Sequence, residues 1–301
     1  MAKYFRERFD DISDYAELCG QGEVLQLQPG QLQIDLRVLE FDDLVVSLEQ
    51  SSHQLSVAPQ ADVGLHRVSL PSLGANQQEG APRLWNGQQL PNHLMLSEDH
   101  WDGLYVNTPH QFDLELTLSP ELAHKAGITG EDGNALNLGH LAVKHMSYEL
   151  FELMMRHLKS SQVNSALYRE IIALVQKVAS KAQQESAQLK QHRRLALVQK
   201  ALAHLNQTQA NGEYLTAKQL SDAMATTQRT LQRAFDDILK TSPYYYLMMA
   251  RLNLARQMLR QGRGNVTEVG AQLGFASSSA FITHYRKFFG ETPSQTLKQN
   301  R

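Results

Sequence analysis

The chain has 301 residues, 42% of them apolar and 20% charged, with a formal net charge of −2. That is enough apolar material for two ordinary domains and excludes disorder along the whole length. No apolar run reaches the roughly 18 residues of a membrane-spanning helix. A single cysteine, Cys19, allows neither an internal disulfide nor a cysteine-rich zinc site.

The first residues, MAKYFRERFDDISDY, alternate charges with aromatics and show no apolar signal-peptide core, so a cytoplasmic protein is expected. From about residue 20 to 120, short segments alternate apolar and polar residues: 25–28, 32–38, 44–48, 65–68, 93–96 and 112–118. Period-two alternation predicts strands with one buried face. Pro29-Gly30, Gly80 to Pro82, Asn86-Gly87 and Pro91-Asn92 separate them, and Asn-Gly between apolar runs is a strong hairpin signal. Many short strands with frequent turns predict a sandwich or barrel. Trp85, Trp101, Tyr105 and Phe112 are candidate pocket-lining aromatics, with core packing as the alternative.

Beyond Pro120 the apolar spacing becomes helical, in 146–154 and 166–175. The polar stretch beginning at Ser180 reads as a linker. Charge divides at the same place. Residues 190–301 hold 16 Lys and Arg against 6 Asp and Glu, a net of +10, whereas the preceding part holds 13 against 25, a net of −12. A basic carboxyl-terminal third suits a polyanionic partner.

That third repeats itself. In LTAKQLSDAMATTQRTLQRAFDDILK (215–240), Thr216 and Gln219 have capping-box spacing, Leu220, Ala223 and Met224 form one apolar face, and Ala225-Thr226 breaks the helix. Thr227 caps a second helix striped by Leu231, Ala234, Phe235 and Ile238. About 49 residues on, NVTEVGAQLGFASSSAFITHYRKFFG repeats the scheme, with Asn265 and Glu268 as capping box, Gly274-Phe275 as turn and Gly290 as terminator. Between the copies, Ser242-Pro243 starts a long helix. The prediction is two helix-turn-helix units, at about 216–238 and 265–289, braced by a central helix.

The outward side of the first unit's second helix carries Gln228, Arg229, Gln232 and Arg233. Arg takes guanine O6 and N7 bidentately, and Gln does the same to adenine. The equivalent side of the second unit offers Ser277, Ser278, Ser279 and Thr283, small neutral groups suited to phosphate or thymine-methyl contact.

The segments LT…LS…T-x-RTLQRAF (215–235), SPYYYL…RLNLARQML (242–259) and VTEVGAQLGF…SAFITHYRKFFGETPS (266–294) together resemble the AraC/XylS family of bacterial transcription regulators over about 100 residues. The resemblance implies two recognition helices in successive major grooves roughly 34 Å apart, activation through RNA polymerase, and a homodimer responding to a small-molecule effector. It also implies a β-rich, cupin-like sensor domain (1–145), a helical dimerisation region and linker (146–190) and an all-helical DNA-binding domain (191–296), α+β overall. The cupin metal pattern of His-x-His with a later Glu and His is missing, so neither metal nor cofactor is expected. Three positions depart from the family: Ala225 and Lys240 stand where glycine is usual, and Thr283 where an Arg is often found.

The alternatives are a small-molecule or protein-binding module without specific DNA recognition, and an enzyme delivered to DNA. The relatives of the latter kind need a zinc-held cysteine and three more, which one cysteine cannot supply. The sequence shows no nucleophile elbow, P-loop or dinucleotide fingerprint, so no enzymatic activity is expected.

Overall fold

A computed structural model describes residues 3–19, 23–58, 66–69, 84–85, 87–89, 94–98, 104–107, 109–126, 135–137, 148–149, 152–153, 155–156, 165–182, 194–210, 212 and 214–298. Its amino-terminal part is built on antiparallel sheets and its carboxyl-terminal part is all helix, α+β overall.

The strands are β1 (Lys3–Phe9), β2 (Glu23–Gln26), β3 (Ile34–Glu40), β4 (Leu44–Ser51), β5 (Leu55–Ala58), β6 (His66–Ser69), β7 (Leu84–Trp85), β8 (Gln88–Gln89), β9 (Leu94–Glu98), β10 (Tyr105–Val106), β11 (Phe112–Leu118) and β12 (Ala135–Asn137). The first sheet runs β1-β3-β4-β11-β6-β9-β12 and the second β2-β5-β10-β7-β8. Helix α1 (Ile12–Cys19) follows β1, and α2 (Pro120–Lys125) follows β11 with Ser119 as its cap. The Asn86-Gly87 signal falls between β7 and β8, which pair Trp85 with Gln88, and Gly87 adopts φ 79°.

Alternation places the two sets of side chains of the first sheet against different neighbours. Leu44, Val46, Leu48, Leu114, Leu116 and Leu118 are buried against Leu122 of α2 and against Leu167, Ile171 and Val175 of helix α3 (Ser165–Ala182). The intervening residues face the second sheet.

The second sheet departs from the expectation of one buried face. Val24, Leu55, Val57, Trp85 and Tyr105 pack toward the first sheet. Leu25, Leu27, Leu84, Leu104 and Val106 belong to the core of the helical part. Both faces are apolar because the sheet is a middle layer, with the first sheet on one side and helices on the other.

The helical part contains α4 (Leu195–Ala210), α5 (Ala217–Ala223), α6 (Gln228–Leu239), α7 (Pro243–Arg260), α8 (Val266–Gln272), α9 (Ser278–Phe289) and α10 (Pro293–Lys298). Its core joins Leu220, Leu231, Phe235 and Ile238 to Leu247, Leu252 and Leu259 of α7 and to Val269, Leu273, Phe281, Tyr285 and Phe288. Among the described residues, no helix is long and apolar enough to cross a membrane.

Candidate nucleic-acid interface

Both helix pairs start as their spacing predicts. Thr216 accepts from the Gln219 amide at 3.2 Å while Gln219 accepts from the Thr216 amide at 2.8 Å. Asn265 and Glu268 close the same reciprocal box on α8. Ser242 caps α7, with Pro243 in its first turn.

The two units differ by one residue in the turn. Their first helices start 49 residues apart (217 and 266) and their second helices 50 apart (228 and 278). The longer second turn carries Phe275, whose ring lies 4.9 Å from Phe281 and beneath the Arg251 guanidinium at 5.5 Å. Gly270 permits this packing, because a Cβ there would stand 2.9 Å from the Phe281 ring. The corresponding residue of the first unit, Ser221, is buried with its hydroxyl donated to the Lys218 carbonyl.

Both glycine departures fall on left-handed backbone. Ala225 has φ 50° and Lys240 φ 54°, where the second unit has Gly274 at 70° and Gly290 at 74°.

On α6, Gln228, Arg229, Gln232 and Arg233 are all exposed, opposite the buried Leu231, Ala234, Phe235 and Ile238. No carboxylate pairs with Arg229 or Arg233 among the described residues. Arg229, Gln232 and Arg233 have i, i+3, i+4 spacing and share one face. The side chains are thus presented as major-groove readout requires.

On α9, Ser277 is the N-cap and accepts from the Ala280 amide at 3.1 Å. Ser278 is half-buried, Ser279 is exposed, and Thr283 donates its hydroxyl to the Ser279 carbonyl at 2.8 Å, leaving its methyl as the free end. Ile282, at the position of Gln232, is 37% exposed. Reading the sequence missed it; the signal was an apolar residue lying off the Phe281, Tyr285, Phe288 stripe.

The amino-terminal part rests on this helical platform. Arg256 of α7 donates to Asp11 at 2.7 Å and to Glu291 at 2.6 Å, and its guanidinium lies 4.8 Å from the Phe289 ring centre. Arg260 reaches Asp11 at 3.1 Å and Asp14 at 2.6 Å. Burial alone would raise the Asp11 pKa, but the Ser13 amide and the two guanidinium groups outweigh it and hold it below the ordinary value. The Gly30 amide donates to the Phe288 carbonyl at 2.6 Å. Gly87 lies against Ile238 of α6 so closely that a Cβ there would meet it at 2.5 Å.

Between the two sheets lies a cavity of about 270 Å³, lined among others by Phe5, Leu36, Val38, Val57 and Tyr105, with α1 contributing Tyr15 and Leu18. Of the four aromatics singled out in the sequence, Tyr105 lines it. Trp85 is buried in the adjoining core, Phe112 packs on the helix-bearing side with Leu114 and Leu116, and Trp101 lies outside the described residues. Among the described residues, no three His, Cys, Asp or Glu side chains converge as metal ligands do.

Two tandem helix-turn-helix units on a central helix define the class, a double helix-turn-helix DNA-binding domain. A family model described as a helix-turn-helix domain matches residues 220–299. The chain is 37% identical over 89 residues to the HTH-type transcriptional regulator ArgR of Pseudomonas aeruginosa, which covers 30% of this chain and 27% of that protein. It is 34% identical over 89 residues to the HTH-type transcriptional activator RhaS of Escherichia fergusonii, covering 30% and 32%. A solved AraC-type transcriptional regulator from Chromobacterium violaceum is 32% identical, with 33% of this chain and 88% of that one covered, at a TM-score of 0.30. Through this domain the chain belongs to the AraC/XylS family of transcriptional regulators. It spans only about a quarter to a third of the length of these two curated relatives.

Proposed function

We propose that the chain is a sequence-specific transcription regulator that binds promoter DNA through α6 and α9 and responds to a small molecule held in its amino-terminal part. The observation that carries this reading is the row Gln228, Arg229, Gln232 and Arg233, exposed on a helix whose opposite face is fully buried in a net-positive domain. In this reading α6 supplies the strong base contacts. Helix α9 adds contacts from Ser278, Ser279, Thr283 and Ile282 in the next major groove, with Ser277 serving chiefly as its cap. Activation through RNA polymerase and homodimer formation through the 146–178 region complete the reading; sedimentation showing only monomer at micromolar concentration removes the dimer.

The test is a mobility shift on the DNA upstream of the protein's own gene. Arg229→Ala and Arg233→Ala should each cost about 1–3 kcal/mol if the contact is bidentate. Undiminished binding by the double variant overturns the assignment of these residues. Affinity should also fall steeply with salt, because phosphate contacts release counterions. Absent or salt-insensitive binding favours a ligand-binding module that does not recognise DNA.

A further inference from the structure

The second sheet touches both recognition helices, and at equivalent places. Its order puts β2 at one edge and the β7–β8 hairpin at the other. Beyond β2, the Gly30 amide donates to the Phe288 carbonyl of α9 at 2.6 Å. Between β7 and β8, Gly87 packs on α6, where a Cβ would stand 2.5 Å from Ile238 Cδ1 and 2.6 Å from Ile238 Cα. Helix α6 starts at 228 and α9 at 278, so Ile238 and Phe288 occupy the same position in the two units. Both turns are held by their own sheet. Gln26 of β2 is 2% exposed and donates its side-chain amide to the Gln28 and Gly30 carbonyls at 2.6 and 2.9 Å. Across the other turn Trp85 pairs with Gln88.

The two helices are otherwise joined through α7, at different points along it. Phe235 of α6 meets Tyr246 near its start, with ring centres 5.7 Å apart, and Phe289 of α9 lies 4.8 Å from the Arg256 guanidinium near its end. The sheet is thus a second tie between the units. Its contacts fall in the last turn of each helix. Gln228, Arg229, Gln232 and Arg233 of α6, and Ser279, Ile282 and Thr283 of α9, stay exposed with the sheet in place. Docking leaves the reading faces open.

We propose that the second sheet is a gauge that fixes the separation of α6 and α9. Docked, it holds them at the spacing that two successive major grooves require; lifted, it lets that spacing wander. The amino-terminal part thereby acts on DNA binding without touching DNA, because a change in the seating of the sheet moves equivalent points of the two readers against each other. A pre-set spacing also removes part of the ordering cost of binding. The proposal deepens the reading of a double helix-turn-helix regulator. It rests on that reading for the effect on DNA, not for the spacing itself.

The test uses the full chain. Asp236→Cys and Arg286→Cys, equivalent exposed positions on the two helices, carry spin labels in a Cys19→Ser background, and pulsed electron resonance reads the distance between them without DNA. Gly87→Asn keeps a residue that tolerates the left-handed turn but sets a side chain against Ile238. Arg256→Gln breaks the pairing with Asp11 and is the second variant should the first fail to fold. The parent should give one narrow distance distribution, and each variant should broaden or shift it. In mobility shifts, moving the two half-sites apart by two base pairs should weaken the parent by about tenfold, the scale of one lost base contact. Gly87→Asn should lose most of that discrimination and bind the native spacing less tightly. Unchanged distance distributions in the folded variants overturn the proposal. So do variants that keep the full spacing discrimination, or that bind the native site more tightly, which makes the docked sheet inhibitory. If the parent binds no DNA, the DNA-binding reading fails and the distances alone decide the gauge.

Discussion

The Arg256 guanidinium and the Asp11 carboxylate meet at 2.7 Å across 245 residues of chain, with the Asp11 side chain wholly enclosed. This pair, extended by Arg260, Asp14 and Glu291, fastens the start of the sheet domain to the central helix of the DNA-binding domain.

Removing one member should therefore cost far more than a surface ion pair. Arg256→Ala leaves the buried Asp11 carboxylate with Arg260 and the Ser13 amide but without its 2.7 Å guanidinium partner, and should destabilise the protein by about 3 kcal/mol, measured by denaturant unfolding. Acid should act at the same place. The folded Asp11 pKa lies below its ordinary value, so its contribution is complete above that value and is lost as pH falls through the lowered one. Asp11→Asn should remove that part of the acid dependence. An unchanged acid profile would contradict it.

Ala225 and Lys240 hold left-handed backbone that glycine occupies without a steric penalty. Ala225→Gly and Lys240→Gly should each stabilise the helical domain by roughly 0.5–1 kcal/mol, after the greater freedom of glycine in the unfolded chain is subtracted. In the second unit, Gly290→Ala should destabilise by about 1 kcal/mol. Melting temperatures of the three variants check the signs. Gly270→Ala should destabilise as well, since its Cβ needs space held by the Phe281 ring.

Glu49 gives the opposite pH sign from Asp11. Enclosure raises its pKa to about 8; the Tyr15 hydroxyl opposes this, and the charges of Asp113 and Glu115 add to it. Glu40 from β3 and Tyr105 from β10 also face the cavity. A raised acid contributes stability that is complete below its unfolded value, 4.5, and is lost as pH rises through about 8. The protein should thus melt at lower temperature at pH 9 than at pH 6, and Glu49→Gln should flatten that slope. A profile unaffected by the substitution would show that Glu49 titrates normally.

Ile282 tests the second recognition helix. If its exposed side chain meets a thymine methyl, Ile282→Ala should weaken binding by about 1 kcal/mol on the preferred site and leave the salt slope unchanged. Arg233→Ala should do more. Competition shifts with single-base variants of the site would place the Ile282 contact.

The tandem helical units were legible from the amino acids because everything that makes them is local. Thr216 with Gln219, Asn265 with Glu268, and the Leu231 and Phe281 stripes act over three or four residues. Several strands of the first sheet were legible from alternation for the same reason. Helix α1, the short strand β10 and the cavity were not. Period two states that Leu114 and Glu115 face opposite ways, but not whether the Glu115 side meets water or a second sheet. It equally could not reveal that Leu25 and Val24 are both buried, one under the helices and one in the sandwich. Nor does any short-range pattern join Asp11 to Arg256 or carry Gly87 onto Ile238. The amino-acid order by itself determined the helix pairs and the exposed Arg229 and Arg233 face, since capping and stripe formation depend on near neighbours. Only the tertiary structure decided what encloses the carboxylates and what couples the two parts, since both depend on segments that meet only when the sheets close on each other and dock on α7.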